Sequence, residues 1–378
     1  MELHRSLMDV IIDIVFQYLA VERHAHGRDK HTGMMDAVVP LTASQCAVAL
    51  YMGNVETFLT TPELARTYKT LLVESARNNN RRHQFTPLVA GYLQEKMKPE
   101  DIIRGFQARD WDVMKGYPEG ATTNSHGGIS NWKNCWPQFG AMEEIGMALA
   151  LHGERNKEVD GTEIDPFDRE WRFIDDTVGE ILAAFPKLKV SLEHISTRRA
   201  AEFMAKYGSE RLVATVTPQH ILWNRIDWLR DGPRNELFCY PILKRREDQE
   251  AIQALLASGN RFVGAGSDSA PHPTTAKEGQ CGCAGGVMSA HAMIELYVMA
   301  FEKIGALEHV ENFLCVNNLH IFGKQPIPGR TVIEKCTWTV DSMITTSTGT
   351  NVHPLGYNPN PAKRMKYTWK VMEVSEAA

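Results

Sequence analysis

The chain has 378 residues, of which 43% are hydrophobic and 23% charged, a composition typical of a globular protein with a sizeable core. Its 41 basic and 46 acidic residues give a net charge of −5, which argues against the strongly basic surface of a nucleic-acid binder. The length exceeds that of an average domain, but single α/β barrels often reach it.

Neither the cysteines nor the N-terminus indicates export. The seven cysteines are scattered except for Cys281 and Cys283, which is typical of a reducing compartment. That pair could suggest a metal clip, but no second pair follows at zinc-ribbon spacing. The apolar segment Met8–Leu19 is interrupted by Asp9 and Asp13 and lacks a small-residue cleavage site. We therefore expect a soluble, cytoplasmic protein without a membrane span.

Along the chain, short β-rich apolar runs alternate with polar turns and helical patterns. The candidate strands are Ile14–Val21, Val48–Met52, Phe85–Ala90, Asp112–Met114, Ala148–Leu151, Val190–Leu192, Leu212–Val216 and Phe262–Ala265. Amphipathic helical patterns lie between several of them, at Pro62–Ser75, Trp136–Glu144, Asp168–Ala184 and Arg198–Lys206. Eight strand–helix units predict a TIM (β/α)8 barrel. Residues 1–378 are predicted to form one domain, with the proline-interrupted residues after about 325 as a C-terminal extension packed on the barrel.

Polar side chains follow most of the predicted strands directly. They are His24 and His26 after the first run, Asn54 after the second, Lys115 after the fourth, His152 after the fifth, His194 after the sixth and Asp268 after the last. The carboxyl ends of all strands of a TIM barrel open onto the same face, which carries the active site. We therefore expect these residues, distant in sequence, to converge in space.

The four histidines suggest a metal site. His24 and His26 are two residues apart, so on a strand their imidazoles point to the same face and could bind one ion. A His-x-His pair also occurs by chance. Its position at the end of a predicted strand favours a role as metal ligand. His152 and His194 each end an apolar strand, where a single histidine is more often a satisfied core residue. Together the four favour a cation such as Zn²⁺.

Three further residues each allow two interpretations. Lys115 could form a salt bridge, the commoner case, or its amine could take up carbon dioxide and bridge two cations as a carbamate. Asp268 could cap the next helix, or it could bind a metal and act as general base. Arg28 could form a surface salt bridge or could hold a substrate carboxylate at the barrel mouth. The residues alone leave these alternatives open.

Longer motifs point to a family. Between about Phe85 and Gly323 the diagnostic runs are Lys115-Gly-Tyr-Pro-Glu-Gly-Ala-Thr-Thr-Asn-Ser, Leu151-His-Gly-Glu, Leu192-Glu-His-Ile, Ala214-Thr-Val-Thr-Pro-Gln-His, Tyr240-Pro-Ile-Leu-Lys, Ser267-Asp-Ser-Ala-Pro-His and Lys277-Glu-Gly-Gln-Cys-Gly-Cys-Ala-Gly. In these runs the chain resembles bacterial-type, single-function dihydroorotases of the amidohydrolase superfamily. The runs separate this family from hydantoinases and allantoinases, which share only the metal ligands.

The resemblance implies a reaction and a cofactor. The reaction would be the reversible hydrolysis of (S)-dihydroorotate to N-carbamoyl-L-aspartate in pyrimidine biosynthesis, with a metal-bridging hydroxide as nucleophile. The cofactor would be two Zn²⁺ per chain, bridged by Lys115 as N6-carboxylysine. The implied ligands are His24, His26 and Asp268 for the more buried zinc and His152 and His194 for the second, with Asp268 also the catalytic general base.

The resemblance also implies a substrate site. Arg28, Asn54 and His272 would bind the substrate carboxylate, and the backbone at Tyr240 and Ala284 would bind the ring amides. Thr122 and Thr123 would form the tip of a loop that closes over the substrate, with Gly120, Gly127 and Gly128 allowing it to move. We expect a homodimer that acts on this small molecule and binds neither nucleic acid nor membrane.

The first 60 residues depart from the family pattern. The family start Asp-x-His-x-His-x-Arg-Asp-Gly has Glu22 and Lys30 here at its first and last positions, and Gly53 replaces a proline before Asn54. This departure favours one of three alternatives that remain, the inactive scaffold. They are a dihydropyrimidinase-like enzyme, which would not use the carboxylate-binding cluster, a mononuclear deaminase, which would not need Lys115, and an inactive barrel scaffold.

Overall fold

The structure, a computed structural model, describes residues 13–77, 81–158, 160–230, 232–279 and 282–377. Part of the apolar segment Met8–Leu19 and one member of the cysteine pair, Cys281, lie outside the described residues. The six described cysteines are free thiols. Within the described ranges, no helix is both long enough and apolar enough to cross a bilayer.

The strands in chain order are β1 (Asp13–Tyr18), β2 (Ala20–Ala25), β3 (Cys46–Tyr51), β4 (Thr86–Tyr92), β5 (Val113–Gly116), β6 (Ala148–His152), β7 (Lys189–Glu193), β8 (Leu212–Val216), β9 (Val263–Ala265), β10 (Pro328–Trp338), β11 (Ile344–Thr345), β12 (Asn351–Val352) and β13 (Tyr367–Glu376). Strands β2 to β9 form one eight-stranded parallel sheet in sequential order. This arrangement confirms the predicted TIM barrel.

The α-helices lie around the barrel and on its faces: α1 (Met34–Gln45), α2 (Pro62–Ala76), α3 (Pro99–Gln107), α4 (Trp136–Ile145), α5 (Arg169–Phe173), α6 (Gly179–Ala184), α7 (Arg198–Tyr207), α8 (Pro218–Leu222), α9 (Arg225–Leu229), α10 (Arg246–Ala257), α11 (Thr274–Lys277) and α12 (Met293–Lys303). A π-helical turn, Ile174–Val178, connects α5 to α6, so the predicted helix Asp168–Ala184 is one nearly continuous helical segment. Thr61 caps α2 by accepting a hydrogen bond from the Leu64 N–H (3.3 Å).

The barrel closes between β9 and β2 at their carboxyl ends. Ala25 forms an isolated parallel bridge with Ser269. The Asp268 N–H donates to the His24 carbonyl (2.8 Å), and the His26 N–H donates to the Ser269 carbonyl (3.0 Å). The backbone that closes the barrel therefore carries three of the predicted metal ligands.

Asn318 fills the gap between β2 and β9 at the amino ends of the strands. Its side-chain amide donates to the Val21 carbonyl. Gly264 makes room for it, because a Cβ at that position would lie 2.0 Å from Asn318 Oδ1. Leu319 and Ile321, from the same segment, pack into the apolar interior of the barrel and close this end.

The predicted first strand, Ile14–Val21, is wrong in its boundaries. The chain changes direction at Leu19, and β1 pairs antiparallel with β10 in a separate sheet of order β1–β10–β13. The barrel strand begins at Ala20 and is buried along all 6 residues, including Glu22 and His24. These polar residues ended the apolar pattern from which the boundary was predicted.

The segment after about residue 325 supplies β10 and β13, two strands that its proline-rich sequence does not indicate. It also reaches the barrel mouth, where Val352 bridges Pro273 and the Leu355 N–H donates to the Met288 carbonyl (2.8 Å). The assignment of the whole chain to one domain with this extension stays a prediction.

Candidate metal-binding and active site

The predicted metal ligands lie on successive parts of the barrel mouth. His24 is in β2, Lys115 in β5 and His152 at the end of β6. His26 and His194 directly follow β2 and β7, and Asp268 lies three residues after the end of β9. All of them are largely buried.

His24, His26 and Asp268 form one compact group. The Nε2 atoms of His24 and His26 lie 3.5 and 3.0 Å from Asp268 Oδ1. One potential ligand atom from each residue lies within 4.8 Å of the others. Burial lowers the pKa of His26 to about 4. Burial by itself would raise the pKa of Asp268, but His24 and the hydrogen bond with His26 hold it below its usual value. Imidazole nitrogens beside an ionised carboxylate are a suitable donor set for a cation.

His152 and His194 form a second group beside the first. His152 Nδ1 lies 3.2 Å from His194 Nε2, and the His194 ring centroid is 5.0 Å from that of His24. Burial, followed by the nearby His152, lowers the pKa of His194 well below its usual value. A tetrahedral zinc ion usually has at least three protein ligands, and this pair supplies two. A metal at this position would therefore need a further donor.

Lys115 lies buried on β5 without a polar partner among the described residues. Its side chain is fully buried, and its Nζ atom has no hydrogen-bond partner among the described residues. The Nζ atom lies 5.6 Å from the centroid of the Tyr117 ring. Burial lowers the lysine pKa to about 8. The salt bridge that the sequence left open is not formed within the described part of the chain.

Two buried glutamates hold the histidines from behind, and sequence analysis did not identify either of them. Glu193 Oε2 is 2.9 Å from His24 Nδ1, and Glu154 Oε2 is 3.0 Å from His152 Nε2. Glu154 follows His152 by two positions and Glu193 directly precedes His194, so closeness to predicted ligands was the available signal. Carboxylates at the outer nitrogen of metal-binding histidines are common because they orient the ring.

The backbone is strained at three predicted site residues. Arg28, His194 and Asp268 have φ angles of 59°, 44° and 47°, in the left-handed region that residues with a Cβ seldom adopt. Such conformations persist where the surrounding structure fixes them, and they concentrate at functional sites.

Arg28 and His272 meet next to this cluster. Arg28 Nη2 and the Gly285 carbonyl oxygen each lie 3.0 Å from His272 Nε2. Burial, together with Arg28, lowers the pKa of His272 to about 2, so the ring is neutral. A single nitrogen cannot donate to Gly285 and accept from Arg28 at the same time. One of the two contacts is therefore unsatisfied, and an incoming anion could take the guanidinium N–H.

The predicted loop tip lies over the mouth, between two other site segments. The Asn54 Nδ2 donates to the Thr123 carbonyl (3.0 Å), and the Thr123 hydroxyl donates to the Gly285 carbonyl (3.4 Å). The Thr122 N–H donates to Ser125 Oγ (2.9 Å), which tightens the tip itself. The tip is thus held between the segments of Asn54 and Gly285.

The glycines predicted to let this loop move have different roles. Gly120 has a φ of 71° and open space around it. A Cβ at Gly128 would lie 2.6 Å from the Tyr117 carbonyl oxygen, and one at Gly127 would lie 2.9 Å from the Phe58 ring. Close packing therefore explains Gly127 and Gly128, and backbone conformation explains Gly120.

Tyr240 and Ala284 both lie next to Gly285. The Tyr240 ring packs so closely on the next loop that a Cβ at Gly285 would come within 2.5 Å of it. The Ala284 N–H already donates to the Ala276 carbonyl (2.9 Å), and the Ala284 carbonyl accepts from Lys277 (3.0 Å). The same carbonyl also accepts from Cys283 Sγ at 3.6 Å. Recognition of a substrate amide by the Ala284 backbone remains a prediction.

The fold and the cluster define the class of this protein. It is a TIM barrel whose C-terminal face carries a buried group of potential metal ligands, at the position where enzymes of this fold have their active sites.

Comparison with known proteins then gives the family, although no family model matches. The chain is 39% identical over 300 residues to the dihydroorotase of Serratia proteamaculans, which covers 79% of this chain and 83% of that protein. It is 38% identical over 332 residues to the dihydroorotase of Erwinia tasmaniensis, which covers 87% and 92%. The chain belongs to the dihydroorotase family, as the motifs predicted.

Solved structures of dihydroorotases are also similar to this chain. A dihydroorotase from Saccharomyces cerevisiae in complex with 5-fluoroorotic acid matches with a TM-score of 0.86 and 25% identity, over 97% of this chain and 100% of that one. The Campylobacter jejuni dihydroorotase matches with a TM-score of 0.82 and 28% identity, over 96% and 98%. An L-hydantoinase from Arthrobacter aurescens, at 15% identity and a TM-score of 0.75, shares the fold.

Proposed function

We propose that this protein hydrolyses the ring amide of dihydroorotate, and closes the ring in the reverse direction, as a binuclear zinc enzyme. The observation that carries the proposal is the position of Arg28 beside the His24, His26 and Asp268 group. The guanidinium of Arg28 contacts no carboxylate among the described residues, so it is available to bind one. Its position next to a group of potential metal ligands suits a cyclic amide substrate that bears a carboxylate.

The donor set fits the metal that the family implies. His24, His26 and Asp268 would hold one ion, while His152 and His194 would hold the second with help from Lys115. Zinc ions bound in this way would polarise water and the amide carbonyl, which is the chemistry that two-metal hydrolases obtain from their cofactor.

Lys115 supplies the missing donor if it is carboxylated. Its amine must be neutral to react with carbon dioxide, and a pKa of about 8 leaves a substantial neutral fraction near neutral pH. The modified side chain would replace an unsatisfied buried ammonium group with a carbamate whose oxygens have cationic partners. The absence of a partner for Lys115 Nζ among the described residues supports this assignment.

Arg28 would orient the substrate. The ring amide carries no charge, so the ring carboxylate is the group by which the protein can fix the orientation of the substrate. The guanidinium donates Nε–H to the Pro271 carbonyl (2.8 Å), which holds it in place while Nη2 remains available. His272 contacts this guanidinium, Asn54 would add a polar contact to the carboxylate, and Thr123, which Asn54 holds, would exclude water.

Asp268 would carry the proton. Its pKa lies below the usual range, so Oδ1 and Oδ2 are ready to accept a proton from the attacking water. The same carboxyl group would then deliver this proton to the ring nitrogen as the amide bond breaks. In ring closure it would perform these steps in the opposite order.

The test is metal content and dihydroorotate hydrolysis on the same sample, purified without chelator, with dihydrouracil as a substrate that lacks the carboxylate. We expect two zinc ions per chain and turnover of dihydroorotate only. Arg28→Met should keep both ions and lose dihydroorotate hydrolysis. Equal turnover of dihydrouracil would contradict the role of Arg28, and one ion or none would contradict the binuclear site.

A further inference from the structure

Resting on the proposed function, we propose that Glu154, held in place by Lys244, is a positioning residue. It fixes His152 in the tautomer that presents Nδ1, and not Nε2, to the second metal position. Neither Glu154 nor Lys244 belongs to the predicted ligand set, and both are buried beside it.

The hydrogen-bond geometry determines the tautomer. Glu154 Oε2 lies 3.0 Å from His152 Nε2, and an ionised carboxylate can only accept a hydrogen bond. The ring hydrogen must therefore be on Nε2, which leaves the lone pair on Nδ1. That nitrogen faces His194 Nε2 at 3.2 Å, on the side where the second ion would lie.

Lys244 holds the carboxylate of Glu154 in place. Its Nζ lies 3.4 Å from Glu154 Oε1 and donates to the Pro166 carbonyl at 2.6 Å. Glu154 and Lys244 are only 2% and 3% exposed, so solvent cannot neutralise either charge, and each needs the other. The two oxygens of one carboxylate thus connect a buried cation to a buried imidazole.

The first metal position uses the opposite ring nitrogen. There Glu193 accepts from His24 Nδ1 at 2.9 Å, and His24 Nε2 is the atom that faces Asp268 at 3.5 Å. The two glutamates therefore select different nitrogens on their two rings. A defect at Glu154 should consequently weaken the second metal position while the first is unchanged.

Glu154→Gln tests this with little change in shape, because an amide can orient either its oxygen or its NH₂ group toward the ring. Glu154→Leu combined with Lys244→Met removes both charges and avoids an unpaired buried lysine. Glu295→Gln is the matched control, since Glu295 is 4% exposed and interacts with Gln45 and Val371, in a region away from the barrel mouth.

The first readout is the ¹⁵N spectrum of the histidine rings in metal-free protein, which reports the tautomer directly. The native protein and the Glu295 variant should show His152 as the Nε2–H form. The double variant should show a mixture, and Glu154→Gln should lie between the two. A pure Nε2–H form of His152 in the folded double variant would overturn the proposal.

The second readout is zinc titration against a chromogenic chelator. We expect the second equivalent to bind about 10–100-fold more weakly in the double variant, as for loss of other outer-shell partners, with the first equivalent unchanged. Unchanged affinity for both equivalents would overturn the proposal. His152→Ala separates the two hypotheses: if it too retains both ions, His152 is not a ligand and the proposed ligand set of the second metal fails.

Discussion

Burial gives the side chains at the barrel mouth the protonation states that a metal site needs. It lowers the pKa values of His26, His152 and His194, so that these imidazoles are neutral and their lone pairs are free. The carboxyl of Asp268 nevertheless stays ionised, because His24 and His26 outweigh the effect of burial. The same residue is therefore suited to bind a cation and to accept a proton.

Replacing Asp268 with asparagine tests its proton-transfer role. The amide keeps an oxygen for a metal but cannot accept a proton at neutral pH. We expect metal content to be retained and turnover of dihydroorotate to fall at least about 100-fold. Asp248→Asn is a suitable control, because Asp248 is 8% exposed, against 7% for Asp268, and its carboxylate caps backbone N–H groups elsewhere. Near-normal turnover in Asp268→Asn would show that another group is the base.

Replacing Lys115 with alanine tests the bridge. We expect bound zinc to fall from two ions per chain to at most one, because His152 and His194 would lose their third donor. Mass spectrometry of the native protein should show the added mass of carbon dioxide on Lys115. Lys189→Ala serves as the control, since Lys189 is a half-buried lysine on a barrel strand whose Nζ only contacts the Ile321 carbonyl (3.4 Å). Retention of two ions by Lys115→Ala would rule out a bridging carbamate.

At the scale of elements, the loops after β8 and β9 depend on one buried lysine. The Lys277 Nζ donates to the carbonyls of Phe238, Ala284 and Gly286 at 3.1, 3.0 and 2.8 Å. These three bonds use all the hydrogens of the ammonium group and join the segment of Tyr240 to the segment that contacts His272 and Thr123. The side walls of the proposed substrate pocket are therefore held together through Lys277.

Lys277→Met should loosen these walls without touching the metal ligands. We expect KM for dihydroorotate to rise about tenfold, equivalent to about 1.4 kcal/mol, with a smaller change in kcat and no loss of zinc. Lys303→Met is the comparison, because Lys303 is an exposed lysine that donates to one backbone carbonyl, that of Leu222, at 2.9 Å. Equal kinetic effects in both variants would indicate general destabilisation.

At the scale of the whole molecule, the barrel and the outer sheet meet at a buried carboxyl group. Glu295, near the start of α12, accepts hydrogen bonds from Gln45 Nε2 and from the Val371 N–H of β13, both at 3.1 Å. Burial raises its pKa from 4.5 to about 7. The contact between helix and sheet is thus linked to a proton that the unfolded chain would release at lower pH.

This linkage predicts a pH dependence of stability with a definite sign. The folded protein holds the Glu295 proton up to about pH 7, whereas the unfolded chain releases it near pH 4.5, so the contribution of this group is complete below pH 4.5 and is lost as the pH rises through 7. Glu295→Gln cannot ionise and should lose less stability than the native protein between pH 5 and pH 8. Urea unfolding midpoints of the two proteins, compared at each pH without metal, would measure this difference. Parallel pH profiles would contradict it.

The sequence was sufficient to predict the barrel and the family. Period-two apolar runs followed by helical patterns depend on local chemistry, so seven of the eight predicted strands overlap barrel strands almost wholly. The polar residues that follow those runs do lie together, as the geometry of parallel barrels requires. The first strand was misplaced because Glu22, Arg23 and His24 are buried polar residues, and their burial depends on partners far along the chain.

Only the tertiary structure determined the contacts between residues that are distant in sequence. Glu193 supports His24 across 169 positions, and Asn318 fills the barrel seam at Val21 across 297. The pairing of β1 with β10, and of β10 with β13, likewise joins the two ends of the described chain. Local pattern gives the type and order of the elements, because propensity and periodicity act over a few residues. The pairing of buried polar groups depends on packing in three dimensions. In this protein that packing determines which ring nitrogen of each histidine faces the metal position, which groups are charged and where the loops of the site lie.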